Sequence, residues 1–280
     1  MLKSASKVTI NTGNVLNLID IKKKAGQNVT EELSESIKLT LSEWGTQNGH
    51  SLPNGSIANT STQANLVLLS TDSKTVLNIT RPHDDVQNKM AEEERKNLKI
   101  GVKIFINEDS TADLRECLDS AASCIFSARI SSNEMEADNE ADARKCEAIL
   151  PGIKILWAVL EDYVKEGRVL QLGVADVGGG CLRKLHAWAR VKPAIAQINL
   201  ASCCVVPPAL HAFCKANDVQ LLTHADPPDL LTVAAIKAVS EAGGCETLDW
   251  CARYQVHIKC RGVLALKGYV CKATIDNKKK

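Results

Sequence analysis

Residues 168–191 read RVLQLGVADVGGGCLRKLHAWARV. A short apolar run, RVLQLGVAD, is bounded by glycines and reads as a buried strand, and CLRKLHAWARV after it reads as a helix. The alternation continues with AIAQINLAS (194–202) as a strand and PALHAFCKAND (208–218) as a helix with proline near its first position. VQLLTHAD (219–226) is a strand and PDLLTVAAIKAVSEAG (228–243) a helix ending in glycine. Upstream, GIKILWAVLEDYVKEG (152–167) is a helix with Ile153, Leu156, Leu160 and Val164 inward and Gly167 at its end. Strand starts near 169, 195 and 219 recur roughly every 25 residues, the period of a βα unit. Such units build a parallel sheet, either open and doubly wound or closed into a (β/α)8 barrel.

The segment DVGGGCLRK discriminates between the two. Gly178 and Gly180 could open a dinucleotide-binding fingerprint, but Arg183 then stands where close helix packing needs a small residue. The unit also lies far along the chain, whereas a dinucleotide fold would start with it. The expectation is therefore an α/β chain folded as one (β/α)8 barrel domain over 1–280, with shortened or irregular elements. Barrel chemistry sits at the C-terminal strand ends, which carry Lys103, Asp176, Ser202, Cys203, Cys204, His224 and Asp226.

The N-terminal part is less regular. TEELSESIKLTLSEW (30–44) has Leu33, Ile37, Leu41 and Trp44 on one helical face, Thr30 as a cap and Glu31 and Glu32 at the positive end of the dipole. Residues 45–63 are rich in Gly, Asn, Ser and Thr and read as a flexible loop. NLVLLS (65–70) is a strand candidate and MAEEERKNLK (90–99) a surface helix. KIGVKIFIN (99–107) alternates at Ile100, Val102, Ile104 and Ile106 and is a strand. DLRECLDSAASCIF (113–126) is helical, with Leu114, Leu118, Ala121 and Ile125 inward. The acidic 131–143 lacks apolar periodicity and reads as a second flexible loop.

Bulk composition excludes several classes. With 34 basic and 33 acidic residues the net charge is +1, which gives no pull toward nucleic acid or an anionic membrane. No run of 18 apolar residues occurs, and MLKSASKVTINTGN has no apolar leader core, so the expected location is cytoplasmic. In that compartment thiols stay reduced. The 11 cysteines all lie between Cys117 and Cys271, with no C-x-x-C pair, so neither a disulfide framework nor a zinc site is expected. Adjacent Cα atoms are about 3.8 Å apart, and unstrained disulfides need about 4.4–6.8 Å. Cys203 and Cys204 therefore do not pair with each other; they are either small residues packed at a barrel rim or a thiol pair of which one faces outward.

Two levels of resemblance emerge. LGVADV, AQINLAS and RKNLKIGVKIF resemble strand segments of the aldo-keto reductases, the last placing Lys103 where that family has its catalytic lysine. More closely, TGNVLNL, LSEWGTQ, QINLASCCVVPPAL, DVQLLTHADPPDLL and IKCRGVLALKGYV resemble the regulatory-subunit family of glutamate–cysteine ligase, itself an aldo-keto reductase relative. That resemblance runs from about residue 10 to 275 and is weakest across 50–95 and 124–150.

The reductases use Asp, Tyr, Lys and His beside a nicotinamide cofactor, with tyrosine as general acid. Here the tyrosines are Tyr163, Tyr254 and Tyr269, none of them ahead of Lys103, and no histidine lies between His83 and His186. The family's carboxamide-holding Ser-Asn is Ala175-Asp176, Gln197 is kept, and the clamp arginine falls on Ala265. No phosphate-cradling glycine loop with lysine supports a ligase activity of the chain itself. The resemblance thus implies a subunit with no catalytic residues, no metal and no required cofactor. Lys103, Asp176, Gln197 and His224 would line a vestigial pocket with NADP(H) binding as a relic, and Asp226 would cap the following helix. The implied partner is the ligase catalytic subunit, in a heterodimer that Cys203 or Cys204 could link by a disulfide. The implied effects are better glutamate affinity and weaker feedback inhibition by glutathione. An NADP(H)-binding aldo-keto reductase-like oxidoreductase is the alternative.

Overall fold

A computed structural model describes residues 5–18, 29–48, 70–71, 74–121, 126–131, 140–199, 206–226 and 248–275. The chain divides into two compact units, residues 100–230 and residues 1–99 with 231–280. The first carries the strand ends singled out above.

In that unit, strands β4 (Leu98–Ile106), β5 (Phe126–Ser131), β6 (Val169–Ala175), β7 (Ile195–Asn199) and β8 (Gln220–His224) follow one another in sequential order, each parallel to the next. The connecting helices are α3 (Thr111–Ala121), α4 (Glu140–Lys165), α5 (Gly179–Trp188) and α6 (Pro208–Ala216). Parallel strands packed on both faces lose the polar–apolar alternation of half-buried ones. Thus β4 buries Ile100, Val102 and Ile104 as expected, but also Lys103 and Phe105 between them. Helix α4 buries Ile153, Leu156, Trp157 and Leu160. It ends as its glycine suggests, with Gly167 at φ 73° and backbone bonds from Gly167 to Val164 and from Arg168 to Tyr163. Helix α5 closes differently: Lys192 Nζ donates to the carbonyls of His186, Ala187 and Ala189.

Several expectations change here. Helix α4 begins at Glu140, not 152, and holds Pro151 inside it, so residues 140–143 of the expected acidic loop are helical and Ser131 ends β5. Residues 132–139 lie outside the described residues. Helix α3 stops at Ala121, and Phe126 starts a strand that no alternation announced. Trp188 is 45% exposed, with the Lys154 ammonium 5.1 Å from its ring centroid.

The other unit is built on a mixed sheet ordered β2-β3-β1-β10-β9. Its strands are β1 (Lys7–Asn11), β2 (Ser70–Thr71), β3 (Lys74–Thr80), β9 (Leu248–Ile258) and β10 (Val263–Thr274). β1 is parallel to β3 and antiparallel to β10, and β9 and β10 form a long hairpin. Its turn closes with Gly262 at φ 63°. Helix α1 (Val29–Gln47) packs on β1 and β3 with Leu33, Ile37 and Leu41 buried. It starts one residue before Thr30, which therefore lies inside the first turn, and runs through residues 45–47 of the expected loop. Residues 49–69, with most of the NLVLLS strand candidate, lie outside the described residues. Helix α2 is Val86–Ala91, and the 90–99 stretch gives only its end, a 3-10 turn at Arg95–Asn97 and the start of β4.

The α/β class holds. Eight parallel strands closed into a barrel are not found among the described residues: five parallel strands form an open run with β8 at its edge, and the remaining strands pair in mixed directions. The expected helix at 228–243 lies outside the described residues.

Close packing in the hairpin unit is set at Gly268. A Cβ there would overlap the Gly13 carbonyl oxygen and the Tyr254 hydroxyl, with Tyr254 Cζ at 2.5 Å. Gly268→Ala is expected to destabilise the protein by about 1–3 kcal/mol, as overpacking of a filled site does. A urea unfolding midpoint equal to the parent's would show that the β1–β10 contact relaxes freely.

Candidate functional site

Four charged or ionisable side chains converge at the C-terminal ends of the parallel strands. Lys103 comes from β4, Asp176 follows β6, His224 ends β8 and Asp226 lies two residues beyond. Parallel pairing aligns Ala175 with Gln197 and Asn199 with His224, which brings the ends of β6, β7 and β8 side by side. Asp176 adopts φ 59°, a conformation that Asn and Asp tolerate better than most residues, and its N–H donates to the Gln197 carbonyl at 2.9 Å. Asn199 anchors the far side, donating through Nδ2 to the Asp226 carbonyl at 2.7 Å.

The Lys103 side chain is 1% exposed. Its Nζ donates to Asp226 Oδ2 at 2.8 Å, lies 3.8 Å from Asp176 Oδ2 and sits 3.3 and 3.4 Å from the His224 ring nitrogens. His224 Nε2 is 2.7 Å from Asp176 Oδ1, and the Asp226 backbone N–H donates to Nδ1 at 3.0 Å. Those partners select the neutral tautomer with its proton on Nε2, donated to Asp176. Asp226 Oδ2 is 3.2 Å from Nδ1. Protonation of Nδ1 therefore replaces one bond to the Asp226 backbone with one to its carboxylate.

The electrostatics follow. With a neutral imidazole the cluster carries one ammonium and two carboxylates; with an imidazolium it is balanced. Burial alone pushes the His224 pKa down, but hydrogen bonds to Asp176 and Asp226 and the Asp176 charge outweigh both it and the opposing Lys103, so the net direction is up. Removing one partner of such a buried set costs more than the pair contributes, because the other charge is stranded.

Asp176, His224 and Asp226 lie at or just beyond the predicted strand ends, whereas Lys103 lies inside β4, three residues before Ile106. Lys103, Asp176 and His224 of the expected pocket are joined, and Asp226 is the ammonium's nearest carboxylate; the helix it is expected to cap lies outside the described residues. Gln197 borders the cluster through its backbone; its side-chain Oε1 is buried with no hydrogen-bond partner among the described residues. Asn199 carried no signal in the sequence, since its part depends on β8 lying beside β7. Cys203 and Cys204 lie outside the described residues. The one tyrosine of this unit, Tyr163, donates its hydroxyl to Asp119 at 2.9 Å. Among the described residues no His, Cys, Asp and Glu group has metal-site geometry, and no helix is long and apolar enough to cross a membrane.

Because the folded-state pKa of His224 is raised, its stabilising contribution is fully present below the unfolded value of about 6.5 and is lost as pH rises through the folded value. The parent should therefore exceed His224→Gln in stability most at about pH 6, with the gap narrowing toward about pH 8. Urea titrations of both proteins across that range measure it. A gap that stays constant or widens would mean that the imidazolium is not favoured by its two carboxylates.

No family model matches the chain. Its curated relatives include the glutamate–cysteine ligase regulatory subunit of Mus musculus, 34% identical over 98% of this chain and 94% of that protein. The proteins of the same name from Rattus norvegicus and Homo sapiens are each 33% identical over the same shares. Among solved structures, an aldo-keto reductase from a Medee basin deep-sea metagenome library gives a TM-score of 0.35 at 17% identity, over 51% of this chain and 52% of the other. Aldose reductase from Giardia lamblia gives 0.35 at 16% identity, over 56% and 57%.

Proposed function

This chain belongs to the family of glutamate–cysteine ligase regulatory subunits, and from that premise we propose that it binds a glutamate–cysteine ligase catalytic subunit and regulates it without performing chemistry itself. The observation that carries the reading is identity of 32–34% sustained over 98% of the chain with four curated regulatory subunits. The site agrees with it. Lys103 is bonded by two carboxylates and an imidazole, and among the described residues no tyrosine hydroxyl hydrogen-bonds to it to act as general acid.

A regulatory subunit can shift its partner only by binding one conformation better than another. Here it binds the glutamate-competent conformation in preference to the glutathione-inhibited one, so the pair works at lower glutamate and resists glutathione. The heterodimer is cytoplasmic, and Cys203 or Cys204 bridges it to the partner under oxidising conditions, raising effective concentration. In this reading the chain is one domain descended from the aldo-keto reductase barrel.

The test mixes this chain with purified catalytic subunit and follows γ-glutamylcysteine formation against glutamate, with and without glutathione. The expected result is a lower apparent KM for glutamate and weaker inhibition. The combined Cys203→Ser, Cys204→Ser variant should keep the effect under reducing conditions and lose only its oxidant-dependent part. Unchanged kinetics with the parent chain would overturn the regulatory reading.

One observation favours a second reading, a chain that also holds NADP(H). Gln197 is the residue that the reductase resemblance assigns to the nicotinamide carboxamide, and its buried Oε1 has no partner among the described residues. An amide N–H would satisfy it. Against this, Asp176 stands where the family's second carboxamide contact belongs, and it is committed to His224. Calorimetric titration with NADPH should give heat that Gln197→Ala removes; no heat with the parent chain ends this reading.

A further inference from the structure

Cys251 on β9 and Cys271 on β10 are directly opposite each other in the antiparallel hairpin. Their sulfurs are 3.1 Å apart, both residues are fully buried, and both thiols are reduced. We propose that this pair is an oxidative modification site, at which a hydroperoxide converts two thiols into an intrachain disulfide within the hairpin.

The geometry needs little change. Opposed residues of an antiparallel pair have Cα atoms about 4.5 or 5.5 Å apart, and both distances fall inside the roughly 4.4–6.8 Å window of a disulfide. The strands have local freedom to adjust, since the register shifts between Lys272 and Ala273, one step beyond Cys271. The extra residue is Asp249, whose carboxylate accepts from the Thr274 hydroxyl at 2.8 Å. A bulge increases twist and disrupts the ladder locally. Closing the S–S bond therefore draws on a point where the ladder is already irregular.

Burial selects the oxidant. A mixed disulfide with a bulky thiol has no room, because both sulfurs are fully buried and Tyr269, two residues along β10 on the same face as Cys271, is as buried as they are. Cys260, by contrast, is exposed in the hairpin turn and open to such reagents. A peroxide is small enough to reach the pair when the hairpin breathes. One sulfur attacks a peroxide oxygen: the S–O bond forms, the O–O bond breaks, and the first water leaves with a sulfenic acid behind. The second sulfur attacks the first, the S–S bond forms, the S–O bond breaks and the second water leaves. Two thiols and one hydrogen peroxide give one disulfide and two waters, with two electrons passing from sulfur to oxygen. The facing thiol also intercepts the sulfenic acid before further oxidation.

The proposal is independent of partner binding and differs from the Cys203 or Cys204 bridge, which joins two chains. The experiment treats the full reduced chain with hydrogen peroxide, alkylates it under denaturing conditions and maps disulfides after non-reducing digestion. The expected first intrachain product is a peptide linking Cys251 to Cys271, lighter by two hydrogens and released by reductant. A parallel thermal scan should show Tm raised by roughly 5 °C and restored by reductant. Glutathione disulfide in place of peroxide should modify Cys260 and leave the pair reduced. Recovery of Cys251 and Cys271 as separately alkylated or sulfinic peptides, or linked to other cysteines, at a peroxide dose that oxidises Cys260 would overturn the proposal. The map uses the parent protein, so no cysteine variant has to fold.

Discussion

A single buried ammonium organises the parallel half of this protein. Lys103 stands in the middle of a strand whose neighbours on both sides are buried, and a lone charge there would cost several kcal/mol. The fold supplies two carboxylates and an imidazole from three other positions, and each is held in turn. Asp176 is fixed by its left-handed backbone and its bond to Gln197, His224 by the Asp226 N–H, and Asp226 by Asn199. The ends of β4, β6, β7 and β8 are therefore specified together. A change of register in any of these strands would move a charge away from its counter-charge as well as exchanging its faces.

The hairpin unit solves the same problem with more solvent. Glu32, in the first turn of α1, receives both the Tyr269 hydroxyl at 2.5 Å and the Lys267 ammonium at 2.6 Å. Burial, with the Glu32 charge second, pushes the Tyr269 phenol far above its ordinary range, so it stays a hydrogen-bond donor. The same glutamate suits the positive end of its helix. On the opposite side of the strand, Gly268 lets the Gly13 turn and the Tyr254 ring approach the sheet. One polar anchor and one close packing point thus bracket β10.

What the sequence made legible follows from how local each signal is. The run from β6 to β8 was readable because apolar runs, glycine stops and a proline at a helix start all act within a few residues. Lys103 was readable as a strand-borne lysine, and Asp176 and His224 as strand-end groups. That Asp226 serves Lys103 was not, because the contact spans 123 residues of sequence and local pattern made the aspartate an equally good helix cap. The mixed sheet was missed for a similar reason. β1 pairs with β3 and β10, distant segments whose partnership no periodicity encodes. The helix expected over 152–167 begins earlier than its apolar pattern suggests: Pro151 lies inside α4, where tertiary packing of Leu156, Trp157 and Leu160 overrides the lost backbone bond.

A charged cluster at the end of a parallel sheet invites a catalytic reading, and the energetics show why that inference is weak. Once a lysine is buried among carboxylates, losing any one member strands the others, at about 3–5 kcal/mol, whether or not the set ever touches a substrate. Selection for folding alone is enough to keep it. Catalysis would require a group whose proton is aimed at a reacting atom. Here, among the described residues, the ammonium donates to the Asp226 carboxylate, the imidazole Nε2–H to Asp176 and the Asp226 N–H to His224 Nδ1. The cluster is thus explained as the electrostatic closure of the parallel sheet at this point, with no reacting atom needed to account for it.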